Sequence, residues 1–65
     1  MYYEFQGEQL DRGMDKIIAD CVRHVLEHYH VTVQDCVRIV IQELALGMTR
    51  AVIETIEKWY RHYKK

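Results

Sequence analysis

The chain contains neither proline nor serine, and each absence removes a class of protein. Without them the composition of a linker is missing, and 49% apolar residues are too many for a disordered segment. No Ser nucleophile exists, there is no glycine-rich phosphate loop, and no acid and base stand in a recognisable pair. The remaining option, Cys21 with His24 on neighbouring helical positions, lacks an orienting group, an oxyanion site and a pocket. The sequence therefore predicts no enzyme and no catalytic residue.

Long hydrophobic runs are also missing. Leu44-Ala45-Leu46 and Ile39-Val40-Ile41 fall far below the roughly 20 residues of a membrane span. Residues 1 to 9 are aromatic and acidic, without the basic start and apolar centre of a secretory signal. The cytoplasm, where thiols stay reduced, is the expected compartment. Charge of one sign is scarce too: the net value is −1. It divides into six acidic and three basic residues up to His30 (−3) and four acidic and six basic from Val31 onward (+2). Neither half is the strongly basic footprint of a protein that grips phosphates. Nucleic acid is possible as a partner but not indicated, and no membrane is expected.

What is present is helical material. From Glu8 to Tyr29 the apolar positions Leu10, Met14, Ile17, Ile18, Cys21, Val22, Val25 and Tyr29 recur at amphipathic spacing. Between Val31 and Tyr63 two further stripes appear: Val33, Val37, Val40, Ile41 and Leu44, then Val52, Ile53, Ile56, Trp59, Tyr60 and Tyr63. On one straight helix the second stripe would stand roughly 100° around from the first, a conflict that a break near Gly47 removes. Gly47 is expected at the left-handed C′ position, Thr49 as the next N-cap, and Met48 with Ile53 as a hydrophobic staple. Thr32 followed by Asp35 reads as a capping box, with the acid in the usual Glu or Gln place. The short link at residues 30 to 32 predicts an antiparallel hairpin. Tyr2, Tyr3 and Phe5 mark residues 1 to 6 as an extended arm.

The fold class is thus all-α and single-domain: an arm (1–6), helices at 8–29, 33–46 and 50–62, and a hairpin plus a third helix. A 65-residue chain buries only about 60% of its unfolded surface, so self-association is expected as added support. Cys36, Ile39 and Leu46 fall off the main stripe of the middle helix and need a cover. With Ile53 and Tyr60 they form the predicted oligomer or partner interface. Trp59, in phase with Val52, Ile56 and Tyr63, is predicted to anchor the core.

Cys21, His24 and His28 stand at i, i+3 and i+7. A closed zinc site needs four ligands, the fourth from His30, Cys36 or His62, and a catalytic one needs three with water. The spacing matches no strong metal signature, and Cys21 lies in the apolar stripe, so no metal or cofactor is expected. A Cys21–Cys36 disulfide is geometrically poor: Cys21 lies about five residues further from the turn, roughly 7 Å along the hairpin.

Leu46-Gly47-Met48-Thr49-Arg50-Ala51-Val52-Ile53-Glu54-Thr55-Ile56 resembles the second half of a helix-turn-helix and, more loosely, the turn of ribbon-helix-helix repressors. The resemblance implies that Ile53 and Ile56 are the buried positions of a recognition helix, with Thr49 and Arg50 at its exposed start. Glu43 stands where that pattern has a small residue. Lys58 and Arg61, among Trp59, Tyr60 and Tyr63, would extend the contact surface.

Two functions follow. The first is a non-catalytic oligomer that binds another protein as regulator, inhibitor or adaptor. The alternative is a dimeric DNA-binding regulator that uses the helix after Gly47, with Thr49, Arg50, Lys58 and Arg61 as its contacts.

Overall fold

A computed structural model describes residues 12–64, as three helices: α1 (Arg12–His28), α2 (Val33–Leu44) and α3 (Arg50–Tyr63). The extended arm, Leu10 and the expected helix start at Glu8 lie outside the described residues. No strand occurs among the described residues, and no helix there is long and apolar enough to cross a membrane. Each helix packs against both others, giving a body of 36 × 20 × 17 Å.

The chain breaks where the apolar pattern changes phase, but by a different device from the one Gly47 suggests. Ala45 adopts φ 53°, ψ 45°. Its N–H donates to the Gln42 carbonyl (3.4 Å), and the Leu46 N–H reaches back to Ile41 (3.0 Å). These are the two bonds of a Schellman motif, which satisfies the last carbonyls of α2. The helix therefore ends at Leu44 rather than Leu46, and Gly47 takes no left-handed conformation. Met48 is 68% exposed, so a staple with Ile53 leaves it largely in water.

An alanine in the left-handed region pays a penalty that glycine avoids. A Cβ on Gly47 would meet nothing nearer than the Thr49 methyl at 3.9 Å. Ala45→Gly and Gly47→Ala should therefore each stabilise the fold by about 0.5–1 kcal/mol, and together raise Tm by about 4–16 °C. Thermal melts followed by circular dichroism would show it; a lower Tm for Ala45→Gly would refute the cap assignment.

The starts of α2 and α3 are as expected. The Thr49 hydroxyl accepts from the Val52 N–H at 3.3 Å, and Thr32 accepts from Asp35 N–H at 3.2 Å. Asp35 turns its carboxylate the other way, to Arg38 at 3.0 Å. Only half of the predicted capping box thus has its bond on display.

The core is Ile18, Ala19, Val22 and Val25 from α1, Cys36 and Val40 from α2, and Ala51, Val52 and Ile56 from α3. On α1 the buried row is Ile18–Val22–Val25, and Ile17, one residue or about 100° away, is 48% exposed. Tyr29 is in phase with the row but follows the last turn, and is 57% exposed. On α2 the buried face is centred between Cys36 and Val40, rotated by roughly 60° from the expected stripe. That rotation puts Cys36 inside.

α3 is tied to the rest of the chain at two places. The Trp59 indole N–H donates to Asp15 Oδ1 on α1 at 3.1 Å, while Lys58 Nζ approaches the same oxygen at 3.4 Å. The Tyr60 hydroxyl donates to the Val31 carbonyl in the α1–α2 link at 3.0 Å. Trp59 and Tyr60 are half-buried and pack on the core.

Candidate functional site

The five predicted interface residues separate. Cys36 is fully enclosed by its own chain, at 0% exposure. Tyr60 is engaged internally by its hydroxyl, as above. Ile39, Leu46 and Ile53 are half-buried and keep surface for a partner. Ile39 occupies the most distinctive position, because it is a shared wall of two concavities beside α2. One, of about 270 Å³, is bounded by Val31, Asp35, Arg38, Ile39 and Gln42. The other, of about 70 Å³, lies where Cys21, His24 and Tyr29 meet Ile39 and Glu43. Both concavities thus mix aliphatic side chains with charged and polar ones, a mixture common to protein contact surfaces.

The second group, on α3, carries opposite tendencies. Arg50, Lys58 and Arg61 are exposed, as the nucleic-acid reading requires. Thr49, however, spends its hydroxyl oxygen on the helix cap, and Lys58 is drawn to Asp15 and sits 4.8 Å from the centre of the Trp59 ring. Glu54 is exposed between Arg50 and Lys58, which interrupts a cationic track. Beyond Trp59 the rings of His62 and Tyr63 gather: Trp59 and Tyr63 stack at 5.7 Å, with His62 edge-on to Trp59 at 5.2 Å. Tyr63, placed in the buried stripe by periodicity, is 37% exposed, because it lies in the last turn.

Both cysteines are free thiols, and neither is chemically activated. Burial, and then the nearby Glu43 carboxylate, push the Cys21 thiol up from its ordinary value. Burial, and then Cys21, push Cys36 up to about 11. A raised thiol pKa means little thiolate at neutral pH, the reverse of a nucleophilic cysteine. Among the described residues no group of three or more His, Cys, Asp or Glu side chains is arranged to hold a metal ion.

The Cys36 shift has a measurable sign. The unfolded chain ionises near 9.0 and the folded one near 11, so within that window the folded state holds more protons. The contribution is intact below about pH 9 and is lost as pH rises toward 11, by up to about 1.4 kcal/mol per pH unit. Urea titrations from pH 8 to 11 should show this slope, and Cys36→Ala should flatten it whatever its own cost. An equal slope in the variant would assign the effect to other groups.

Asp15 is the residue that sequence reasoning missed. Only the fold reveals it as the acceptor for α3. Ala19 and Ala51, both buried, carry no sequence signal either. No family model, curated protein or solved structure matches this chain.

Proposed function

We propose that this chain is a small interaction protein: α1 and α2 pair as an antiparallel hairpin, two copies associate through the surface around Ile39, and the assembly acts by binding another protein as regulator, inhibitor or adaptor. The observation that carries the reading is the Ile39 surface itself. It combines a half-buried aliphatic side chain at the junction of two concavities with a largely exposed Tyr29 and the opposite charges of Arg38 and Glu43 at the rim. Aromatic and aliphatic anchors within a charged rim are where binding energy concentrates. The cytoplasm suits a chain with two free thiols.

The expected result is a dimer or higher oligomer in sedimentation at micromolar concentration. Ile39→Lys should weaken it by about 2 kcal/mol, roughly thirtyfold in Kd; because Ile39 is half-buried against the core, an unchanged circular dichroism spectrum is the accompanying control. A wild-type monomer under these conditions removes the dimer. An Ile39→Lys dimer of unchanged affinity moves the interface elsewhere.

The exposure of Arg50 and Arg61 on one helix favours a second reading, a dimeric DNA-binding regulator that presents α3. Duplex binding that weakens steeply from 50 to 200 mM salt would support it. The mixed charge along α3 argues for the protein partner, and a pull-down with nucleic acid digested separates the two.

A further inference from the structure

We propose that His24 and His28 form a chelating pair for a divalent transition-metal ion of the Zn²⁺ or Ni²⁺ class. The two imidazoles stand one turn apart on α1, with ring centroids 4.4 Å apart and planes inclined by 46°. Both residues are exposed, so an ion reaches them without any opening of the fold. The spacing is the one by which a helix presents two histidines to zinc from one face, and neutral imidazole suits these metals. The supporting helix is held from behind by Ile18, Val22 and Val25, so little order remains to be imposed on binding.

The local charges are favourable. His28 is the last residue of α1, where the helix dipole attracts a cation. Asp20, one turn before His24, and Glu27, beside His28, are exposed acids on the same helix. From α2, Glu43 lines the cavity that His24 shares with Cys21. Among the described residues no third His, Cys, Asp or Glu side chain joins the pair in an arrangement that could hold a metal. The ion therefore has two protein ligands, with water completing its shell. His24-Val25-Leu26-Glu27-His28 fits the His-x-x-Glu-His spacing of some zinc peptidases, but without a third converging ligand no hydrolytic step follows.

The site is tested with the ions alone. Substoichiometric Ni²⁺ is added to metal-free protein while the ring protons of His24, His28, His30 and His62 are followed by NMR, and Zn²⁺ binding is measured by calorimetry. Ni²⁺ should broaden His24 and His28 selectively, and Mg²⁺, which prefers oxygen ligands, should shift neither resonance. His24→Gln and His28→Gln should each weaken Zn²⁺ binding by roughly tenfold or more, with unchanged circular dichroism because both positions are exposed. The same selectivity should hold in protein diluted below the dimer Kd, which separates this site from the interface proposed above. Equal broadening of His30 or His62, unchanged Zn²⁺ affinity in either Gln variant, or no binding at millimolar ion would overturn the assignment.

Discussion

Trp59→Ala is expected to cost about 3 kcal/mol, most of the stability that a domain of this size commands. Two losses combine. The ring leaves a gap against the core cluster, and Asp15 Oδ1 loses the indole N–H that donates to it at 3.1 Å. The two are separable. Trp59→Phe keeps much of the packing and forfeits the hydrogen bond, worth about 1–2 kcal/mol for a partly exposed carboxylate acceptor. In a double-mutant cycle, Asp15→Ala and Trp59→Phe should therefore be non-additive. A Trp59→Ala protein that melts within about 4 °C of wild type would mean that the aromatic end of α3 is a recognition surface, not an anchor.

Ile56→Ala should cost slightly more, about 3–4 kcal/mol. Its side chain is fully buried at the centre of the three-helix contact, and the neighbours cannot close the gap without moving a helix. Two controls on the same chain grade the effect by burial. Ile53→Ala, half-buried, should cost about 1 kcal/mol, and Ile17→Ala, half in water, should stay within about 0.5 kcal/mol. Urea denaturation with fixed m-values would establish the order; comparable losses at Ile17 and Ile56 would contradict the placement of the core.

How far the sequence foretold this depends on what each signal encodes. The phase change between Leu44 and Val52 announced a break, because apolar periodicity reports directly which face is buried. Thr32 and Thr49 announced helix starts for an equally local reason. The stop was misplaced by two residues because Gly47 satisfies the usual pattern, whereas the left-handed conformation falls on Ala45, which no propensity favours. Cys36 was assigned to the surface because a stripe of valines outweighed one thiol. Helix rotation is settled by the packing of all three helices, and a 60° error moves a residue from rim to centre. The Asp15 link spans 44 positions and has no local signature at all. For the candidate surface, Ile39 was visible as apolar material off the main stripe. Its concavities were not, since they arise from the meeting of α1, the link and α2.

The ties from α3 also set the order of events during synthesis. Ala51, Val52 and Ile56, together with the donors on Trp59 and Tyr60, all belong to the last helix. A nascent chain that has released only α1 and α2 still lacks a third of its core and both latches, and two short amphipathic helices are marginal alone. Ile18, Val22 and Val40 then stay accessible to chaperones, or to another nascent copy, until Tyr60 emerges. Folding therefore waits for α3, and its hazard is premature association, not slow search.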